Sequence, residues 1–216
     1  MRELTTDQVL YILFAVRWTL VLSLFALIGG AIGGLFVALA GASEAKLPRW
    51  LAMVYITIFQ GTPLLMQLFL AFFVPSLFGY NVSALGAATL GLSLNASAFL
   101  GEIWRGSIEV VPKGQKEAAI SLGLGYIDRT FRIIIAQAVP VAIPPSIGFL
   151  VQLIKGTSLA SIIGFVELTR AAQVINDATF RPFFIFGLVG LVYFCLCWPL
   201  SLYSNTMEKR LRIKQR

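Results

Sequence analysis

Five stretches of the chain are apolar over about the length that crosses a lipid bilayer as a helix. Roughly 20 residues suffice for one crossing, and the stretches cover residues 18–40, 51–74, 84–104, 130–154 and 183–203. A water-soluble domain of 216 residues would instead alternate short apolar runs with polar surface. The pattern predicts an all-α, polytopic bundle of five transmembrane helices, which forms a single membrane domain over residues 1–216.

The composition agrees with a membrane protein and excludes several classes of enzyme. Hydrophobic residues make up 58% of the chain, charged residues make up 12%, and His is missing altogether. Without His, a Ser-His or Cys-His catalytic pair and the H-E-x-x-H zinc motif are impossible. The run at 155–158, KGTS, lacks the leading glycine and the residue order of a phosphate-binding loop. We therefore expect this chain to hold no nucleotide in that way, no other cofactor and no metal.

Basic residues are retained on the cytoplasmic side of a membrane, and their distribution orients the bundle. With the N-terminus outside and the C-terminus in the cytoplasm, twelve of the 17 Lys and Arg residues fall in the inside segments: Lys46, Arg49, Arg105, Lys113, Lys116, Arg129, Arg132, Lys209, Arg210, Arg212, Lys214 and Arg216. Topology and attraction to anionic membrane lipid thus account for the net charge of +7. Nucleic-acid binding is not expected, because no separate basic domain with interleaved aromatic residues exists.

One basic, amphipathic insert separates the third and fourth apolar stretches. Pro112 and Gly114 interrupt the preceding helix, and a short helix is predicted over about 115–123. Gly123 and Gly125 would end it in the left-handed conformation that glycine tolerates. Such a helix would lie across the cytoplasmic membrane surface and offer another protein a carboxylate, a small face and apolar anchors, namely Glu117, Ala118, Ala119, Ile120 and Leu122.

This insert and three further passages resemble one protein family. Glu117-Ala118-Ala119 followed by Gly123 resembles the E-A-A-x-x-x-G coupling motif of the permease subunits of bacterial ABC importers. Residues 60–67 (QGTPLLMQ), 102–106 (EIWRG) and 155–164 (KGTSLASIIG) resemble, in order, the G-T-P-L-L-x-Q, E-I-x-R-[AG] and K-x-T-S-L-x-S-x-I-G stretches of the branch that imports polar amino acids. The four ordered matches cover nearly the whole chain.

The resemblance implies the type I ABC importer permease fold in a multi-pass protein of the bacterial inner membrane. It also implies three kinds of partner: a dimer of ATPase subunits, which carries the ATP and Mg; a second permease subunit, identical or paralogous; and a periplasmic or other extracytoplasmic amino-acid-binding protein. This chain itself would not be an enzyme. Clamping of the ATPases on ATP would move the coupling helices and switch the pore from inward-facing to outward-facing.

One position departs from the family pattern. The family carries Ile-x-Leu-Pro about ten residues beyond the motif glycine, whereas this chain has IIIA at 133–136 and its prolines follow at Pro140, Pro144 and Pro145. Because proline removes a helical hydrogen bond, we expect the break in the fourth span to be displaced to these prolines.

A path for a polar solute needs polar side chains in the spans, because such groups face the bundle interior or a cavity. Lys155 would attract the α-carboxylate of an amino acid or would instead reach the lipid headgroups. Thr62 and Ser97 would line the path or only satisfy backbone carbonyls. The full set of candidates is Thr62, Gln67, Asn95, Ser97, Gln152, Lys155, Thr157 and Ser158. No carboxylate lies centrally in a span, which favours neutral or acidic amino acids.

Three local patterns carry further expectations. Gly29, Gly30, Gly33 and Gly34 set small residues four apart, which either lets another helix approach closely or only makes the helix adaptable. Glu102 and Arg105 are expected to form an ion pair on one helix face. Residues 156–182 are expected to fold back over the outer mouth, with an amphipathic helix from 167 to 177.

Two other classes of membrane protein compete with the importer. A secondary transporter would carry buried ionisable relays and more spans or internal repeats, which this sequence lacks. A channel subunit has no such signature and stays open as the alternative at this stage.

Overall fold

The computed structural model describes residues 5–214, and every regular element in this range is helical. In chain order these are α1 (Thr6–Gly41), α2 (Lys46–Gly61), α3 (Leu64–Leu77), α4 (Ala84–Glu109), α5 (Lys113–Ser121), α6 (Tyr126–Asp128), a π-helical segment (Arg129–Ile135), α7 (Ala136–Gly156), a 3₁₀ segment (Thr157–Ser161), α8 (Leu168–Thr179) and α9 (Pro182–Lys214). Four helices are long and apolar enough to cross a membrane, and the bent pair α2–α3 supplies a fifth span. The predicted five-span all-α bundle is confirmed. Arg216 and the side chains of Arg212 and Lys214, which entered the orientation count, lie outside the described residues.

The helices α1 and α4 form the closest seam of the bundle. A methyl group placed on Gly34 would lie 3.1 Å from Leu100 Cβ, and one placed on Gly33 would lie 2.8 Å from Ser97 Cβ. The two backbones therefore touch almost directly, and dense dispersion contacts between them replace the hydrophobic drive that is missing in lipid. The close helix approach predicted from the glycine pattern is confirmed, and the partner is α4.

The first span begins earlier than predicted, at Thr6 and not at residue 18. The first turns of α1 are helical because they pack: Ile12 is fully buried in one cluster with Leu168 of α8 and Ile185 of α9. Arg17, which marked the predicted boundary, does not interrupt the helix, since it is exposed and its guanidinium lies over the Trp18 ring.

The second span, predicted over 51–74 as one stretch, consists of two helices. The helices α2 and α3 meet at 100°. Between them, Thr62 and Pro63 have extended backbones, with ψ of 143° and 133°. Proline disfavours the helical conformation in the residue before it. The helix therefore breaks at this point although the apolar sequence continues. The bend leaves the last carbonyls of α2 without helical donors.

The fourth span also differs from its prediction. The helix α7 continues through Pro140, Pro144 and Pro145, so the expected displacement of the break to these prolines is wrong. Membrane helices tolerate proline because neighbouring groups satisfy the freed carbonyls. The irregular backbone lies earlier, in the π-helical segment, and it ends where Ala136 begins the regular helix.

The two ends of the bundle are built differently. One end carries α5 between α4 and α7, and we call it the α5 end. The other carries the 3₁₀ segment and α8 between α7 and α9, and we call it the α8 end. The amphipathic helix predicted near 167–177 is confirmed as α8, which buries Leu168, Ala171 and Ala172 against α1 and α9.

Candidate functional site

Two buried amides complete the break between α2 and α3. The Gln67 Nε2 group donates to the Phe59 carbonyl at 2.8 Å, to the Thr62 carbonyl at 3.1 Å and to Thr62 Oγ1 at 2.9 Å. From α4, Asn95 Nδ2 donates to Gln67 Oε1 at 3.1 Å and to the Phe59 carbonyl at 3.3 Å. These bonds replace the missing helical donors, because an unpaired buried carbonyl would cost free energy. They fix the angle of the bend and join it to α4.

Beside this break lies a cavity of about 470 Å³ between α2, α4, α7 and the 3₁₀ segment. Its walls are partly aromatic, and Phe99 and Phe149 stack with ring centroids 5.2 Å apart. Five of the predicted path residues come together around it: Thr62, Asn95, Gln152, Lys155 and Ser158. We call this space the polar cavity.

The other three predicted path residues do not line the polar cavity. Gln67 lies behind its wall, in the break just described. Ser97 Oγ donates to the Leu94 carbonyl at 2.8 Å and shares a 2.6 Å hydrogen bond with the Tyr55 hydroxyl. Thr157 is fully buried and donates to the Ile154 carbonyl at 2.7 Å. In this structure all three stabilise helices and helix contacts.

Lys155 lies between two cavities. It lines the polar cavity on one side and, on the other, a space of about 470 Å³ that reaches Tyr193, Trp198 and Ser201 of α9. The side chain is exposed and forms no ion pair within the described residues. Neither cavity has an Asp or Glu among its lining residues in the described part of the chain. The ammonium group is thus available to an anionic group of a solute.

At the α8 end, a completely buried carboxylate ties three helices together. Glu167 precedes α8 and accepts the backbone N–H groups of Thr169 and Arg170, each at 2.9 Å. Its Oε2 atom also accepts the Tyr193 hydroxyl of α9 at 3.1 Å and the Thr19 hydroxyl of α1 at 3.5 Å. Burial raises the pKa of the Glu167 carboxyl, and the hydrogen bonds oppose that shift. Sequence reasoning did not identify this buried network, since two of its donors, Thr19 and Tyr193, are remote from Glu167 in the chain.

The helix α5 projects at the opposite end. Glu117 and Ala118 are exposed, and Ile120 and Leu122 are 52% and 77% exposed, so four predicted coupling residues form an open surface. Ala119 differs from its prediction: it is 1% exposed and packs inside the chain, because α5 lies against the π-helical segment.

The glycines that follow α5 behave differently from each other. Gly123 ends the helix with a positive φ of 76°, as predicted, and its exposed position leaves it beside the open α5 surface. Gly125 has a φ of −62° and an extended backbone, so the left-handed conformation predicted for it is wrong. One left-handed residue is enough to turn the chain towards α6.

Charged groups brace the base of α5. Arg105 binds Glu102 through two hydrogen bonds of 2.7 and 2.6 Å, which confirms the predicted pair, and it also contacts Glu109 at 2.7 Å. Lys116 of α5 forms an ion pair with Glu44 of the α1–α2 connection, and this ammonium holds the pKa of the Glu44 carboxyl below its usual value. The Lys116–Glu44 pair therefore links α5 to the α1–α2 connection, and the Arg105 pairs brace the end of α4 that precedes α5.

A five-span bundle with a polar cavity and an exposed helix at one end is the architecture of a membrane transport subunit with a surface for a partner protein. The family model for the inner membrane component of binding-protein-dependent transport systems matches residues 30–213. This chain belongs to that family.

Several known proteins are similar to this chain over most of their length. The chain is 36% identical to the probable amino-acid ABC transporter permease protein YckA of Bacillus subtilis, over 96% of this chain and 92% of the relative. It is 38% identical to the L-cystine transport system permease protein TcyB of Bacillus subtilis, over 91% and 84% of the two chains. A crystal structure of an amino acid ABC transporter with histidines aligns with a TM-score of 0.87 at 33% identity, and covers 97% of this chain and all of that one.

These relationships confirm the main interpretation of the sequence. The protein is a multi-pass inner membrane permease subunit of an ABC importer, with the type I importer permease fold. It is a transport component and not an enzyme, since the ATPase of such systems is a separate subunit. An ATPase and a binding protein are its partners.

Proposed function

We propose that this subunit imports amino acids and that the polar cavity lies on their path. One observation carries the proposal: Lys155, Gln152 and Asn95 line the same cavity of an otherwise apolar bundle. No carboxylate of the described residues lines this cavity. The curated relatives named for amino-acid and cystine transport support the substrate class.

The chemistry of the cavity suits one part of an amino acid especially well. The Lys155 ammonium would attract the α-carboxylate, while the amide oxygens of Gln152 and Asn95 would accept hydrogen bonds from the α-ammonium group. A basic substrate side chain would meet no compensating carboxylate in this cavity. Neutral and acidic amino acids are therefore the favoured substrates.

The assembly that we propose follows from the single-chain structure and the family. A second permease subunit, identical or paralogous, would complete the path. A dimer of ATPases with bound ATP and Mg would hold α5 through Glu117, Ala118, Ile120 and Leu122. The N-terminus would lie outside and the C-terminus in the cytoplasm, so a periplasmic binding protein would approach the α8 end.

The described connections support a route for motion from the ATPases to the cavity. The helix α5 packs on the π-helical segment, and that segment runs directly into α7. The far end of α7 carries Gln152 and Lys155. Displacement of α5 by ATP-bound ATPases would therefore shift α7 against α4 and open or close the cavity, which is alternating access by population shift.

Uptake by the assembled transporter in proteoliposomes tests the proposal. We expect labelled amino acid to accumulate only with ATP, and the Lys155→Met variant to raise the apparent KM by about tenfold or more through loss of a charge-assisted contact. Arg181→Met, which removes another exposed cation near the α8 end, serves as the matched control and should leave KM unchanged. Uptake that ignores ATP would overturn the importer function, and an unaltered KM and rate in assembled Lys155→Met would overturn the role of the cavity.

A further inference from the structure

A third large space is a groove on the outside of the bundle, between α1, α4 and α7. It has a volume of about 700 Å³, and its lining is aliphatic except for Trp104, Ser107 and Ser146. Those three side chains already have partners in the wall: Trp104 Nε1 donates to Ser146 Oγ at 3.0 Å, and the two serines donate to carbonyls of their own helices. The groove therefore offers a ligand apolar contact and almost no hydrogen bonding. We call it the apolar groove.

At the α5 end, the apolar groove continues into a small charged pocket, and Leu39, Ile108 and Ile135 line both spaces. The charged groups of the pocket are Lys116, Glu44 and Arg129. Lys116 and Glu44 are paired with each other, so the pocket keeps a net positive charge from Arg129.

One buried N–H group of Arg129 has no hydrogen-bond acceptor within the described residues. Its guanidinium lies 5.5 Å from the centroid of the Tyr126 ring. Its Nε atom is buried, and no group in the described part of the chain accepts a hydrogen bond from it. A buried guanidinium N–H without a partner costs free energy. Arg129 also lines the charged pocket, and a phosphate oxygen there would be a strong acceptor for its guanidinium group.

The length of the groove matches one leaflet of a membrane. Along α1 its lining runs from Leu27 to Leu39, which corresponds to about 18 Å at about 1.5 Å per residue. One half of the hydrocarbon core measures about 15 Å. In a membrane, this length would place the charged pocket at the level where headgroups begin, and the aliphatic lining would extend from there towards the bilayer centre.

We propose that the apolar groove binds one anionic phospholipid, with an acyl chain along α1, α4 and α7 and its phosphate at Arg129. The charged headgroup of a lipid matches the charged pocket, and its aliphatic chain matches the apolar groove. A helix of a second copy would cover the aliphatic lining but would leave Arg129 Nε without an acceptor. The site lies on a different face from the polar cavity, and its occupancy does not depend on which solute is transported.

Quenching of Trp104 fluorescence by brominated lipid tests this proposal on the full chain in mixed micelles. The other three tryptophans are changed to phenylalanine (Trp18→Phe, Trp50→Phe and Trp198→Phe), so that the signal comes from the groove alone. We expect brominated phosphatidylglycerol to quench at about tenfold lower mole fraction than brominated phosphatidylcholine, as expected for one charge-assisted hydrogen bond. In this background, Arg129→Gln should abolish the preference.

Arg132→Gln is the matched control, because Arg132 lies in the same π-helical segment but is exposed, pairs with Asp128 and does not line the pocket. It should keep the preference for phosphatidylglycerol. Equal quenching by the two lipids with Arg129 intact would overturn the proposal without any mutation of the site. Absence of quenching by either lipid would show that protein covers the groove, and it would overturn the proposal as well.

Discussion

Two glutamates at opposite ends of the bundle occupy opposite environments. Glu167 is 0% exposed and accepts hydrogen bonds from α1, α8 and α9, whereas Glu117 is exposed on α5 and has no ion pair within the described residues. A buried carboxylate is tolerated only when donors surround it. An exposed one on a protruding helix costs nothing to keep unpaired. The first glutamate therefore fixes the shape of this chain, and the second is free to meet a partner.

The same difference extends to the surroundings of each residue. At the α8 end, hydroxyls and backbone amides from separate helices converge on one point, so the elements there are expected to move together. At the α5 end, salt bridges such as Lys116–Glu44 lie near water, where ion pairs contribute little to stability. We expect the α8 end to be rigid and the α5 end to form contacts that exchange easily. This combination suits a subunit whose conformation is changed by a partner protein.

The largest effect on stability is expected from Glu167→Ala. The change leaves two backbone amides and two hydroxyls without their acceptor, which we expect to cost about 2–4 kcal/mol of unfolding free energy. Apparent melting temperature in detergent measures it, and Asp177→Ala, which removes an exposed carboxylate of the same helix, should have little effect. Equal melting temperatures for the two variants would contradict the structural role of Glu167.

A functional loss without a stability loss is expected from Glu117→Lys combined with Ala118→Trp. The charge reversal and the added bulk alter only exposed atoms of α5, so melting of the permease alone should not change. Copurification of the ATPase and ATP-driven uptake should each fall by about tenfold or more, as for the loss of an interface anchor. Asp177→Lys places the same charge change at the α8 end as a control. Intact copurification and uptake in the double variant would refute docking through α5.

The smallest effect concerns Tyr193→Phe, which removes one of the four donors to Glu167. The hydroxyl contacts Glu167 at 3.1 Å and Thr169 at 3.3 Å, and its loss should destabilise the chain by about 1 kcal/mol. Because the ring stays in place, packing is unchanged. In a Glu167→Ala background the same substitution should cost measurably less, and a double-mutant cycle of melting data checks this coupling. Additive effects would show that the two residues act independently.

The sequence allowed good prediction wherever the determining interactions were local. Apolar length located the spans, the glycine spacing on α1 indicated a close helix contact, and Gly123 marked the end of α5. The bend at Thr62 and Pro63 was missed because apolar periodicity says nothing about the angle between two helical halves. The convergence of donors on Glu167 was not predicted, because Thr19 lies 148 residues away along the chain. No local sequence pattern brings such partners together.

The polar cavity shows the same limit within one site. Five of eight polar candidates line it, since polar groups in membrane spans turn inward. The remaining three, Gln67, Ser97 and Thr157, also turn inward, but towards backbone carbonyls and two hydroxyls of this chain. Composition cannot separate a side chain that faces an opening from one that satisfies a neighbouring helix, because both are polar residues within an apolar span.

The glycine seam between α1 and α4 also constrains how the subunit is able to move. At Gly34 and Gly101 the two backbones are so close that neither water nor a lipid chain fits between them. Prying them apart would give up the dense dispersion contacts of this seam, and lipid chains would replace them poorly along two glycine-lined helix faces. We therefore expect α1 and α4 to move together as one unit, and we expect the movements of transport at the contacts of α4 with the bent α2–α3 pair and with α7.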